Sequence, residues 1–310
     1  MSTTVVYYPH SVYFPGDIVL TQIANVQPNN NFVELVEYSA SEAGPQFTGA
    51  HQASPDNTFE TTQIKTVLDQ MNADGHYLIK DYSSGGAVLV DYKAGLNLGV
   101  RVADATLGHL LFTANDNTAV AWEGFSARQG GLVTMRARLA HIFLPASGND
   151  PLIPTVNVAI TNPPAVNHLF TLGKISLNGT ALTGVEDANW DNRVVWEIRI
   201  SDGDPFPTYI AIKTYAPCLR INTTNCAYMT TYGTRGTALT AANVFLRKKL
   251  LSGINVPDAT AEHIKLAGTA GTIRATELRD SPGMCQVEVC LREPSAGTPC
   301  FTLNTATAIT

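Results

Sequence analysis

Histidines, cysteines, carboxylates and glycine-rich turns are the residues through which a chain of this kind could do chemistry. Seven histidines stand at His10, His51, His76, His109, His141, His168 and His263. Metal ligation from one helix needs two of them at HExxH-like spacing, and thiolate sites need CxxC pairs; neither pattern occurs. His109 and His263 each follow an Asp-Ala-Thr by a few residues. The expectation is a structural histidine bonding a turn carbonyl at both places, with Asp104 and Asp258 binding backbone amides of the same turn. "DANWDN" (187–192) sets oxygen side chains at alternate positions, as a calcium loop does. Its sixth position is Asn192 rather than Gly, and no Glu stands at position twelve. "SSGGAV" (83–88) lacks the Lys of a phosphate-binding loop and reads as a hairpin loop, and no GxSxG or GxGxxG run is present. Trp122, Trp190 and Trp196 do not align as a base-stacking platform. No catalytic, cofactor-binding or metal-binding residue is assigned, and the expectation is a protein that is not an enzyme and holds no cofactor.

The five cysteines (Cys218, Cys226, Cys285, Cys290, Cys300) are odd in number and all lie in the second half. That argues against a disulfide framework and for buried or edge thiols in a reducing compartment. The opening "MSTTVVYYPH" has neither the charge nor the apolar core of a signal peptide, and no run of about 20 apolar residues exists. No membrane partner is expected.

Composition sets the elements that must carry these side chains. Of 310 residues, 45% are apolar and only 15% charged, against about 25% in ordinary domains. Low charge with abundant Thr, Val and Gly leans towards β-structure, and suits a surface covered by copies of the same chain. The net charge of −6 is uneven: residues 1–160 carry 7 basic and 14 acidic side chains, residues 161–310 carry 13 and 12. No basic stripe for tight nucleic-acid binding results.

A repeat search finds the same phrases twice. At one offset Pro45 faces Pro207, Phe47 faces Tyr209, Pro55 faces Pro217, Phe59 faces Ile221, and Thr61-Thr62 face Thr223-Thr224; Asn30 faces Asn192, and with one residue of slip Gly16 faces Gly179. Further on, "VADATLGHLLF" (102–112) lies over "VPDATAEHIKL" (256–266), and "GLVTMRARL" (131–139) over "GMCQVEVCL" (283–291). Such ordered matches imply an internal duplication. The expected organisation is a first β-domain at 1–150, an extended Pro/Asn-rich linker at 151–167, and a second, homologous β-domain at 168–310. Alternation in "NFVELVEYS" and "RVVWEIRIS" predicts strands with one face on a core; "AVLVDYKA", "VFLRKKLL", "LVTMRARLAHIFL" and "MCQVEVCL" read as further strands. After Thr61-Thr62, Ile64, Val67, Leu68 and Met71 form the stripe of a short helix, capped by a threonine hydroxyl. The second copy keeps the Thr-Thr but loses most of the stripe, so its helix is expected to be shorter.

The opening "VVYYPHSVYFPG", the long stretch "FVELVEYSASEAGPQFTGAHQASPDNTFETTQIKTVL" and its echo "VVWEIRISDGDPFPTYIAIKTYAPCLRINTTN" resemble tail tube proteins of long-tailed bacteriophages. The resemblance covers the first 70 or so residues of each copy. It implies two tandem β-sandwich or small-barrel domains, each flanked by a short α-helix. It also implies six-domain rings stacking into a hollow tube through which DNA passes without being gripped. A chain with two such domains needs only three copies per ring, a trimer acting as a pseudo-hexamer. Other virion tail proteins would be partners, and the protein would belong to the tail, assembled in the bacterial host cytoplasm. The loops Ser39 to Gln46 and Ser201 to Pro207 would stack ring on ring, and the acidic balance would repel phosphate from the lumen. Alternatives are a duplicated β-domain capsid protein, an extracellular filament subunit, or a ligand-binding or enzymatic β-scaffold.

Overall fold

In the computed structural model the described residues are 6–15, 18–29, 33–38, 45–54, 56–73, 77–82, 89–95, 101–114, 117–143, 150–160, 169–200, 205–277 and 283–310. Among them the chain is mainly β: 24 strands against two short helices. Gly16, Asn30, the "SSGGAV" stretch, and the loop segments 39–44 and 201–204 lie outside the described residues.

The strands follow from period-two alternation. β6 (Asp56–Thr61) buries Asn57, Phe59 and Thr61 and turns Asp56, Thr58 and Glu60 outward. It belongs to a ten-stranded antiparallel sheet with β3 (Ile23–Asn29), β7 (Ile79–Tyr82), β10 (Thr118–Arg128), β11 (Thr134–His141), β15 (Val185–Asp191), β18 (Cys218–Thr223), β19 (Thr237–Leu239), β22 (Gly271–Glu277) and β23 (Cys285–Leu291). Their order is β19-β22-β23-β18-β15-β10-β11-β6-β3, with β7 on β10. A five-stranded sheet joins β1 (Val6–Phe14), β2 (Ile18–Leu20), β8 (Leu89–Gly95), β9 (His109–Ala114) and β12 (Leu152–Val158) in the order β12-β9-β8-β1-β2. Another joins β13 (Leu169–Leu177), β14 (Thr180–Ala181), β20 (Ala242–Lys249), β21 (His263–Gly268) and β24 (Thr302–Thr307) in the order β14-β13-β20-β21-β24. One continuous core, from Val12 and Phe59 to Val287 and Phe301, is made by residues of all three sheets.

The strand-to-helix corners are built alike. The Thr61 hydroxyl accepts the Gln63 amide at 3.0 Å, and the Thr223 hydroxyl accepts the Asn225 amide at 3.0 Å. Helix α1 (Ile64–Ala73) follows, with Ile64, Val67, Leu68 and Met71 fully buried as their spacing predicts. Helix α2 (Ala227–Tyr232) is shorter, as expected, and covers the core with Tyr228 and Tyr232, one turn apart and stacked at 5.9 Å.

Several expectations need correction. The stretch 151–167 is not wholly a linker: β12 lies within it and pairs with β9, because its backbone completes that sheet's edge, while 161–167 lies outside the described residues. "RVVWEIRIS" is a strand, β16 (Val195–Ile200), but it pairs only with β17 (Pro207–Thr214) in a two-stranded arm. Its apolar residues therefore do not face the main core, and Val195 and Ile198 are exposed. A second two-stranded arm is formed by β4 (Val33–Tyr38) and β5 (Pro45–Gln52). The cysteines include a disulfide, Cys218–Cys290, because the two stand directly opposite each other on β18 and β23 with Cα atoms 4.4 Å apart.

The paired histidines behave as their spacing predicts. His109 Nε2 lies 3.0 Å from the Ala103 carbonyl and His263 Nε2 lies 3.0 Å from the Pro257 carbonyl, both rings fully buried. The Asp258 carboxylate takes a side-chain partner instead, accepting from Arg247 Nε and Nη2 at 2.7 and 2.8 Å, and Asp104 Oδ1 stands 3.8 Å from His10 Nε2.

His141 is a buried group that spacing did not single out. Asn57 Nδ2 lies 2.9 Å from its Nε2 and Thr118 Oγ1 lies 3.1 Å from its Nδ1, a set that suits the neutral ring with a proton on Nδ1. Burial pulls its pKa from 6.5 down to about 4. A group whose folded pKa is lowered contributes stability that is present above the unfolded value and lost as pH falls. Stability should therefore drop by about 3 kcal/mol between roughly pH 6.5 and pH 4 on account of this ring. Urea titrations at stepped pH check this: His141→Gln should flatten the dependence in that window, and an unchanged slope would contradict it.

Candidate assembly interface

The two halves of the chain meet along one edge of β10. Residues Thr118 to Ala121 pair with β7, and Gly124 to Arg128 pair with Asp191 to Asp187 of β15. A bulge between Trp122 and Gly124 lets one strand serve both partners. At this bulge a Cβ on Gly124 would stand 2.2 Å from the Trp190 carbonyl oxygen, so the approach of β15 requires glycine.

Asn192, fully buried, closes the joint. Its Oδ1 accepts Trp190 Nε1–H at 2.7 Å and its Nδ2 donates to the Trp122 carbonyl at 3.0 Å. Its N–H donates to the Glu123 carbonyl at 2.8 Å, and its carbonyl accepts the Ala216 amide at 3.0 Å. Around it Trp122, Phe125 and Trp190 stack at 6.0–6.4 Å, and Phe301 meets both tryptophans edge-on at 5.9 and 5.2 Å. Two of the three tryptophans thus come together inside the core, while Trp196 sits apart on the β16–β17 arm.

Two further contacts cross the same boundary. Helix α1 lies against β24. The β16–β17 arm reaches back over the N-terminal half: Ala53 N–H donates to the Pro205 carbonyl, and Phe143 N–H to the Pro207 carbonyl, at 2.7 and 2.8 Å. Phe143 packs on Phe206 at 5.5 Å, and Ile210 and Trp196 close over Ala140 and Ile142. Pro205 to Pro207, the described part of the Ser201 to Pro207 loop, thus makes contacts within the chain.

The outward face of the ten-stranded sheet is polar and charged on both signs. Glu123 pairs with Arg136 at 2.6 Å and Arg138 at 3.4 Å, and Asp56 with Arg138 at 3.6 Å. Glu288 takes Arg193, Arg220 and Arg274. Burial works to raise the Glu288 carboxyl, but hydrogen bonds and charge from Arg274, then Arg220, outweigh it and hold it below the ordinary range. A groove of about 390 Å³ crosses the joint on this face, lined by Glu60, Ser126, Arg136, Asn189, Asp191 and Arg220. Asp187, Asn189 and Asp191 of the calcium-like phrase project onto this face because β15 alternates, not because they curl round an ion. Asp187 accepts Asn222 Nδ2 and Asp191 accepts the Arg193 amide.

Among the described residues, β3 and part of β22 have an edge without a partner strand. β3 is the last strand of the sheet order. β22 pairs with β19 only through Gly271 to Ile273, and the Ala275 amide, which donates to the Gly233 carbonyl, marks which residues face the edge beyond. By alternation Glu277 N–H faces that edge too. Val195, Ile198 and Tyr209 leave the arm's apolar surface exposed. Compared with models of protein families and with curated proteins, the chain matches none.

In the sequence Asn192 stands out as a residue unfit for a calcium loop and as the repeat match of Asn30, and Gly124 not at all; neither signal points to a joint between strands. Asn192→Leu leaves the Trp190 indole N–H and the Trp122 carbonyl unpaired, and should cost about 3 kcal/mol in urea unfolding. Gly124→Ala should cost at least as much, whereas Thr134→Ala on the polar face should stay within about 0.5 kcal/mol. Equal, small effects for all three would show that the joint is not tightly packed.

Proposed function

We propose that the chain is a tandemly duplicated, tail-tube-type structural subunit, with β-domains at 1–150 and 168–310, that closes into rings of three copies. The rings stack into a hollow tube for DNA passage in a virion tail assembled in a bacterial host, in company with other tail proteins. The observation that supports this reading is that the chain already contains one head-to-tail joint and, among the described residues, pairs β3 and the later part of β22 with no strand on the edges that would repeat it.

Strand pairing supports the duplication. The order β2-β1-β8-β9-β12 has the counterpart β14-β13-β20-β21-β24, and β3-β6-β11-β10-β7 has the counterpart β15-β18-β23-β22-β19. Each arm and each helix falls at the same place in its half. One register departs from the match made on sequence: Thr61 faces Met135 and Thr223 faces Cys285, so Met135 corresponds to Cys285 rather than Val287. A two-residue slip keeps every side chain on its face, and alternation alone cannot detect it.

In this correspondence β10 matches β22 and β15 matches β3. The internal β10–β15 ladder therefore has as its unfilled repeat β22 of one copy on β3 of the next. Such a heterologous contact closes into a ring when its rotation is a simple fraction of a turn. Pro28, which has no N–H, stands where Trp190 stands in the internal joint, so the ladder between copies has one bond fewer than the ladder within a chain. The joint between copies is then the weaker link.

The charge-matched sheet face suits a lumen. Its guanidinium groups are taken by neighbouring carboxylates, leaving little net attraction for phosphate. This shifts the basis of repulsion from the acidity of the first half to pairing across strands.

Mass photometry on concentrated protein should find particles of three chains or their multiples, and stacks by negative stain. Glu277→Pro removes an edge-facing donor while leaving the β22–β23 ladder intact; it should stay folded and lose the particles. A monomer at every concentration, or single unstacked rings of six chains in negative stain, would overturn the proposal.

A further inference from the structure

The ladder between β18 and β23 begins with the disulfide row, Cys218 opposite Cys290, and ends with Thr223 opposite Cys285. Just past that end the Thr223 hydroxyl holds the Asn225 amide, which turns the chain back so that Cys226 returns over Cys285. The two thiols are interlocked. Cys226 Sγ donates to the Gly283 carbonyl at 3.3 Å, two residues before Cys285. Cys285 Sγ donates to the Asn225 carbonyl at 3.5 Å, one residue before Cys226.

Neither thiol is bonded to another sulfur, and their exposure differs: Cys226 is half-buried and Cys285 fully buried. Burial, then the neighbouring Cys226, pushes the Cys285 thiol up, so it is the poorer first nucleophile. The fifth cysteine, Cys300, is buried elsewhere, against Tyr215.

We propose that Cys226 and Cys285 are a second, oxidisable pair that stamps the other end of the β18–β23 ladder, with a peroxide as the oxidant. Cys226 sulfur attacks one peroxide oxygen, breaking the O–O bond and giving a sulfenic acid and water. Cys285 sulfur then attacks the Cys226 sulfur, forming the S–S bond and releasing the sulfenic oxygen as a second water. Two thiols are oxidised and one peroxide is reduced, with both thiol protons ending in water. The bond would tie the start of α2 to the start of β23, and the odd count of five resolves into two pairs and one buried thiol.

The test is peptide mapping of the full chain under non-reducing conditions, before and after hydrogen peroxide. The expected product is a Cys226–Cys285 linked peptide, lighter by two hydrogens than its reduced parts, with loss of maleimide labelling at Cys226 and a raised Tm. In Cys285→Ser the sulfenic acid should persist and be trapped by dimedone, with Cys218–Cys290 unchanged. Cys226 that stays maleimide-reactive after peroxide, links to Cys300, or links two chains would overturn the proposal. The wild-type map decides even if the variant fails to fold.

Discussion

The bond set of one buried asparagine holds the two halves of this chain in a single sheet. Asn192 uses its amide, its carbonyl and both polar atoms of its side chain, and each partner lies on the boundary between β10 and β15 or on the segment that returns to it. A polar side chain at this depth is tolerated only when every donor and acceptor is matched. The match in turn fixes where Trp190 can sit, and Trp190 fixes the aromatic packing that reaches Phe301, the residue just before the last strand. Gly124 is the backbone half of the same constraint, since only a missing Cβ lets β15 come close enough for Asn192 to reach across.

Much of the fold was legible in the residues because it depends on periodicity. The inward face of β6, the four apolar residues of α1 and the turn-bonding roles of His109 and His263 follow from local spacing, and the structure places them accordingly. What was not legible depends on which strands become neighbours. Nothing in "RVVWEIRIS" distinguishes a core strand from an arm that leaves the sheet, and nothing in "LIPTVNV" tells a linker from an edge strand. Cys218 and Cys290 read as unpaired members of an odd set until the β18–β23 register sets them opposite each other. The alternating oxygens of "DANWDN" show the limit from the other side, because a strand and a cation loop share that spacing.

The joint also explains how a low-charge chain could serve as a building unit. A sheet that continues across the boundary between its halves has no reason, in its hydrogen bonding, to stop at the chain's own ends. Exposed strand edges invite further strands, and proteins that remain alone blunt them. Here one edge carries a single proline, the other is a strand paired with β19 over only part of its length, and the β16–β17 arm exposes apolar residues of its own. In the proposed ring that combination limits indiscriminate pairing and leaves β22 for β3 of another copy.

A cryo-electron microscopy map of the protein at assembling concentration, resolved well enough to trace strands, tests the central claim most directly. The account predicts a closed circle of three chains in which the sheet runs without a break from β22 of each copy into β3 of the next, repeating the β10–β15 crossing six-fold in appearance. A map in which copies meet through other surfaces, with β3 and β22 open to solvent, would contradict it.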